Sequence, residues 1–484
     1  MKAAFIEEPL LEFAGGGCHI DPKHGVWHYG PADIKDPTPR VVRAAIIGPQ
    51  ASIDGLQTWL DKCRRGIGAL TDTHLTHLYV PFPGFDVHQG FRSIINFSPR
   101  LTRSVSKRDL DALDGLNPLQ AVSKAVDLYD RELQALHDEP SCDVVIVCRP
   151  DNLNDAALSR APRDLDDVEV DGSTKGGKDS GLIGDFHALL KARSLRYKQP
   201  IQIVRRSTWD PKFKDPHTSR VGANQDEATR AWNLHTALYY KNGGVPWRLP
   251  RDPADLTSCY IGITFYKSAD TSLHTSVAQI YNQRGDGIIV RGGPATISKE
   301  DRQPHLTEGD AYALLETALQ RYRAEHRNTP ARIVLHKASN YIPAEMAGFN
   351  QAANTERLEV LELLWLTNSD HIRLYRTGQQ PPLRGTMLTL DDDRHLLYTT
   401  GAVPFYKTYP GHYVPQPLGI RTVDTESSPE RLATEVLALT KMNWNQTRLD
   451  GRIPITLRTA RTVGNILRHH GTDAPVSGRY AHYM

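Results

Sequence analysis

The feature that most limits what this chain can fold into is an alternation. Short runs rich in Val and Ile end in turn residues and are separated by helix-like stretches. Residues 41–49 (VVRAAIIGP), 77–81 (HLYVP), 143–148 (DVVIVC) and 201–205 (IQIVR) read as strands, and 118–135, 184–197 and 226–241 read as helices. Strands that are apolar along their length, rather than at every second position, are those buried on both faces. Alternation of such strands with helices therefore implies an open α/β domain with a parallel sheet.

The helix over 226–241 runs into NGGVPWRLPRDPADL, where Gly ends it and prolines prevent its continuation. A chain of 484 residues also needs more than one core, because single cores stop growing near roughly 250–300 residues. The boundary is placed accordingly, with a first domain over 1–255 and a second over 256–484. The second opens on CYIGITFYK from residue 259, then gives a strand at 287–291, a long helix over 308–325 and the strand RIVLHK at 332–337. Near its end SSPERLATEVLALTKMNWN offers a Ser N-cap followed by Pro and Glu, and TLRTARTVGNILRHH forms a last amphipathic helix. Residues 161–183 mix acids, Gly and Ser without periodicity and read as an exposed loop. No internal repeat is seen.

Composition removes several classes. With 39% apolar and 24% charged residues the chain is globular rather than disordered. No apolar run approaches the roughly 18 residues of a membrane span, and the acidic start MKAAFIEEPLLEF is unlike a signal peptide, so a cytoplasmic protein is expected. Five scattered cysteines without a C-x-x-C pair indicate neither a disulfide framework nor a zinc site. The net charge of +2 is uninformative, but residues 187–250 hold twelve Lys or Arg against four acids, and 151–186 hold nine acids against four bases. A basic stretch beside an acidic loop suggests a face for phosphates.

Within that basic stretch, His187 and Lys191 lie four apart and share one helix face. Gln202 follows on the next strand, and Lys241 ends the next helix just before Asn242, Gly243 and Gly244. In an open α/β sheet the crevice at the strand ends collects side chains from successive elements, so these four can converge. Cations and amide donors in one crevice suit a terminal phosphate.

The segments FHALLKARSLRYKQPIQIVRRSTW and AWNLHTALYYKNGGVPWRL resemble the MID domain of Argonautes, and EPLLEFAGGGCHIDPKHGVWHYGP resembles the start of short prokaryotic Argonautes. Similarity continues through CYIGITFYK, RIVLHKAS and LTKMNWN to the terminal RYAHYM. The resemblance implies a Rossmann-like MID domain followed by an RNase H-like PIWI domain, both α/β. It further implies that His187, Lys191, Gln202 and Lys241 bind the 5′ phosphate of a guide. The Met484 carboxylate would lie beside Lys191 and Gln202 and share a Mg2+ ion with that phosphate. Ala237 stands one turn before Lys241, where the family often has a second Lys.

Cleaving members of the family need Asp in an I-G-I-D and an H-R-D-G pattern to hold two cations. Here the patterns read Ile261, Gly262, Ile263, Thr264 and His336, Lys337, Ala338, Ser339, so both carboxylates are absent. Glu308 falls roughly where a third acid might lie, and a fourth position belongs near 441–445. The resemblance thus implies a sensor without catalytic residues. It would pair a guide, RNA in this family, with single-stranded DNA and act with an APAZ-domain partner carrying a TIR, sirtuin-like or nuclease effector. An active RNase H-like nuclease using displaced acids remains an alternative, as does an unrelated nucleotide-binding α/β enzyme, although no Gly-rich phosphate loop of either standard spacing occurs.

Overall fold

The computed structural model describes the chain apart from residues 35–39, 72, 139–141, 154–184, 214–224, 252–253, 269–271, 283–286, 369–371, 412–413 and 472–476. The loop read over 161–183 lies outside the described residues.

Strands Arg40–Gly48, Ser93–Ser104, Val144–Cys148 and Ile201–Val204 form a four-stranded sheet, parallel throughout. Its spatial order places Ser93–Ser104 at one edge, then Arg40–Gly48, Val144–Cys148 and Ile201–Val204. Continuous apolar character has the expected cause: Ala44 and Ile46 enter one core while Ala45 and Ile47 enter another on the opposite face. Helix Pro118–Asp138 covers the second face with Ala121, Val122, Ala125, Tyr129 and Leu133, spaced as one helical stripe. Helices Phe186–Ser194 and Glu227–Lys241 start on Asp185 and Asp226, whose carboxylates accept from Ala188 N at 2.9 Å and Thr229 N at 3.0 Å.

One strand assignment is corrected. Residues 77–81 form turn structure, and their neighbourhood contributes only an isolated bridge between Ile67 and Phe82. Pro81 and Pro83 remove ladder donors there, and Gly84 sits at φ +97°, so the segment bends instead of extending. The strand of this sheet that the reading overlooked is Ser93–Ser104. Its polar residues and Pro99 hide the pattern, and the ladder absorbs the irregularity as a register shift opposite Ala44 to Ile46.

A nine-stranded mixed sheet carries the rest. Its order is Lys2–Phe5, Thr386–Thr389, Arg394–Leu397, Leu418–Asp424, Val360–Asn368, Arg332–Lys337, Ser258–Lys267, Leu273–Asn282 and Gly287–Val290. Arg332–Lys337 runs parallel to both its neighbours, and the other pairings are antiparallel. The first strand, Lys2–Phe5, closes an edge of this sheet, although the sequence placed it with the first domain. Ile261, Ile263, Ile333 and Leu335 pack against helices Glu308–His326 and Pro343–Thr355. Tyr260, Val334, Leu457 and Val463 belong to the core on the opposite side, which helices Pro429–Leu439 and Ile455–Leu467 line. No helix among the described residues is long and apolar enough to cross a membrane.

Candidate functional site

Two places collect the residues singled out in the sequence. The first lies at the ends of helices Phe186–Ser194 and Glu227–Lys241. Lys191 is wholly buried, and its Nζ donates to the Ile201 carbonyl at 2.6 Å and to the main-chain oxygen of Met484 at 2.5 Å. The final residues reach this point because Gly478 accepts from Ile289 N at 3.0 Å, after which Tyr480–His482 makes a single tight turn. Met484 is buried beside Lys191.

Gln202 follows Ile201 on its strand. Its Nε2 makes a 3.4 Å bond to the Ile203 carbonyl, whereas its Oε1 is buried without a partner. Lys241, at the end of its helix, is buried, and its Nζ has no hydrogen-bond partner among the described residues. His187 keeps an exposed edge one turn before Lys191. Ala237 is buried in the core, so it adds no cation.

Burial disfavours charge on each of these groups, and for all but Lys241 a neighbouring charge adds to it. Burial brings the Lys241 ammonium down to about 7. Burial, then the Lys241 charge, holds Lys191 well below the ordinary lysine range. His482, which the sequence reading did not single out, is pushed down to about 4 by burial and by Lys191, Arg479 and Lys241, and its Nδ1 has no partner. The His187 imidazole is lowered by the surrounding protein and then by Lys191, with Arg205 and Lys241 acting in the same sense and Asp185 opposing. The structure thus brings Lys191 and Met484 together, with His482, Lys241 and His187 in electrostatic reach, while Gln202, next to Ile201 on its strand, keeps a buried acceptor without a partner among the described residues. Desolvated like charges favour an anion among them.

The second place holds Thr264 and Ala338, the positions where the family resemblance leads one to expect carboxylates. Ala338 N donates to Ile263 O at 3.1 Å, so Ala338 and Thr264 stand side by side at the ends of adjacent parallel strands. Thr264 is buried and its Oγ1 has no partner among the described residues. Lys337 points to the other face of the sheet and pairs with buried Glu345 at 2.7 Å. Glu308 is exposed on the first turn of its helix, and Lys441 is paired with Glu8 at 3.1 Å. Among the described residues no group of three or more His, Cys, Asp or Glu is placed to hold a metal ion.

No family model and no curated protein matches the sequence. Solved structures do. A Clostridium butyricum Argonaute bound to a guide DNA and a 19-mer target DNA aligns with TM-score 0.64 and 13% identity, over 99% of this chain and 54% of that one. Drosophila Piwi aligns with TM-score 0.60 and 16% identity, over 100% of this chain and 56% of that one. A. aeolicus Argonaute aligns with TM-score 0.58 and 14% identity, over 99% and 55%. This chain therefore has the fold of Argonaute and Piwi proteins across its described length, and it spans about half the length of the structures it matches.

Proposed function

We propose that this chain holds a 5′-phosphorylated guide strand, RNA on the family resemblance, and pairs it with single-stranded DNA without cutting that target. The observation that carries the proposal is Lys241, a buried amine with no hydrogen-bond partner among the described residues, in electrostatic reach of Lys191 and His482. Such a group costs free energy in the empty protein, and a dianionic terminal phosphate would relieve it. The similar Argonaute whose structure holds a guide DNA and a target DNA supports the choice of nucleic acid over other phosphates.

In this reading a divalent cation would accompany the phosphate. Gln202 Oε1 is an orphaned acceptor, and the Met484 oxygen lies one lysine away from the same strand. Hard cations take such oxygens together with phosphate oxygens. Gln202 and the Met484 carboxylate would hold Mg2+, which when bound supplies positive charge between that carboxylate and the phosphate. Lys191 and Lys241 orient the phosphate, and the buried tail excludes water around it.

The reading that the target stays uncut rests on Thr264 and Ala338 at the positions where the family resemblance expects two carboxylates to hold catalytic cations. In this reading the chain is the recognition half of a prokaryotic defence pair, and the output belongs to an APAZ-domain effector partner with a TIR, sirtuin-like or nuclease domain. The test compares 5′-phosphate with 5′-hydroxyl guide RNA, then offers the loaded protein a complementary DNA with Mg2+ or Mn2+. Tighter binding of the phosphorylated guide and an intact target are expected. Equal binding of both guides would remove the pocket assignment, and a single product opposite the middle of the guide would mark an RNase H-like nuclease instead.

A further inference from the structure

We propose that His19, His24, His28 and His77, gathered around Phe405, form a proton-sensitive clasp: acidification releases the turn Pro404–Tyr406 from the N-terminal segment 18–29. The clasp lies outside the guide pocket and does not depend on it.

Three stretches remote in the sequence meet here. Strand Cys18–His19 and helix Pro22–Tyr29 supply His19, His24 and His28, the turn before Val80 supplies His77, and Pro404–Tyr406 supplies Phe405. The Phe405 ring lies 4.6 Å from His77, 5.2 Å from His24 and 5.3 Å from His19, centre to centre. His24 in turn lies 5.4 Å from His19, 5.9 Å from His77 and 6.2 Å from His28. None of the four imidazoles is fully buried, so protons reach them from solvent. The apolar support is small: Val403, Tyr406 and Leu449 are buried, and Ile20, Leu78 and Phe405 pack against them. A satellite cluster of that size, apart from the main cores, is where local opening is easiest.

Hydrogen bonds divide the clasp into a fixed part and a releasable part. Lys23 Nζ donates to Leu78 O at 2.6 Å and His24 Nε2 to His77 O at 3.1 Å, which ties the helix to the 77–78 turn in either charge state of that imidazole. Toward Pro404–Tyr406 the join is the Tyr406 hydroxyl donating to buried Asp21, together with ring packing. His19 Nδ1, in the neutral ring, accepts from Asp21 N at 2.9 Å. A second proton turns that atom into a donor, which must find Asp21 O at 3.2 Å instead.

The rings stack instead of converging. His24 is inclined 27° to His19 and 22° to His28, and among the described residues no three His, Cys, Asp or Glu are placed to hold a metal ion. Proton uptake is the chemistry that remains. Burial lowers His19, with His24 and His28 acting in the same sense and Asp21 opposing. Burial also lowers His24, with Asp21 and the His77 carbonyl opposing and Lys23 and His77 adding to the fall. On the third segment Tyr406 is held well above its ordinary range and stays neutral, and Asp450, next to Leu449, pairs with Arg448 at 3.4 Å. A phenyl face attracts one cation, but several imidazolium groups around one ring repel one another and lose water. Groups whose folded value lies below the ordinary 6.5 take up protons on opening, so the closed form is fully stable above that pH and loses stability as pH falls below it.

The test follows hydrogen exchange of the full chain at about pH 7.5 and about pH 5.5, corrected for the intrinsic rate. Peptides covering 18–29 and 403–408 should lose protection by about ten-fold per pH unit below 6.5 for each proton taken up on opening, while Val144–Cys148 keeps its protection. His19→Asn with His24→Gln keeps an acceptor for Asp21 N and a donor for His77 O without titrating, and should show the same protection at both pH values. His24→Phe keeps a ring against Phe405 and should lessen the response. Three results would each overturn the clasp. They are an equal loss in Val144–Cys148, which is acid unfolding of the whole chain; a full wild-type response in both variants, which places the titration elsewhere; and a response that Zn2+ reverses, which makes the cluster a metal site.

Discussion

Lys191, inside a helix of the first sheet's unit, donates to the main-chain oxygen of Met484, 293 residues further along the chain. Whatever binds beside Lys191 therefore also meets the tail.

An extension beyond Met484 has to displace or rebuild that contact, since Met484 is buried. A C-terminal tag should impair loading of 5′-phosphorylated guide, whereas an N-terminal tag should be tolerated because Met1 is exposed. Guide titrations of both forms, with and without Mg2+, check this. Equal affinities under all conditions would make the tail structural only.

Replacing Lys241 by Met should separate binding from stability. The variant loses a charge-assisted contact worth roughly 1.5–3 kcal/mol to a 5′-phosphate guide, and much less to a 5′-hydroxyl guide. Without guide it should be more stable, by on the order of 1–3 kcal/mol, because an unpartnered buried ammonium is gone. Denaturation curves and guide titrations on the same preparation measure both. A less stable variant that binds both guides equally well would contradict the assignment.

The same lysine predicts a pH dependence. Its folded value of about 7 lies below the ordinary 10.5, so between these limits the unfolded chain carries more protons than the folded one. This contribution to stability is therefore most unfavourable below about pH 7 and is relieved as pH rises toward 10.5. Phosphate binding has the opposite sign, since it favours the charged ammonium, and affinity for the 5′-phosphate guide should fall as pH rises above about 7. Lys241→Met should flatten both profiles. Profiles unchanged by the substitution would assign the titration elsewhere.

Glu345 anchors the second unit from within. Both it and Lys337 are buried, 2.7 Å apart, and Glu345 also accepts from Leu306 N at 2.8 Å and Ile342 N at 3.1 Å. Glu345→Ala leaves an uncompensated ammonium and should cost about 3–5 kcal/mol of stability. Guide affinity of the surviving folded fraction should be unchanged, as Lys337 faces away from Thr264. A loss below about 1 kcal/mol in a urea titration would show the pair to be solvated.

Legibility in the sequence followed the range of the interactions. Arg40–Gly48 and Val144–Cys148 were evident because burial on both faces leaves them apolar, and the helix at 227–241 because capping residues and Gly mark its ends. Ser93–Ser104 was hidden by Pro99 and its polar residues, and Lys2–Phe5 because its partner, Thr386–Thr389, is remote. At the site, His187, Lys191, Gln202 and Lys241 fall within one basic stretch and could be proposed together. His482 could not, since its significance comes from Lys191 and Lys241, which lie far before it in the chain. The gathering of His19, His24 and His77 depends on Phe405, remote in the chain, which no spacing rule reports.

The route of the last residues, from the Ile289–Gly478 bond to the Lys191–Met484 bond, has a consequence for timing. Helices carrying Lys191 and Lys241 leave the ribosome while more than two hundred residues are still to be made. The contacts that seat His482 and Met484 draw on Ile289 of the nine-stranded sheet as well as on Lys191, so the surroundings of Lys191 are completed by residues made long after it.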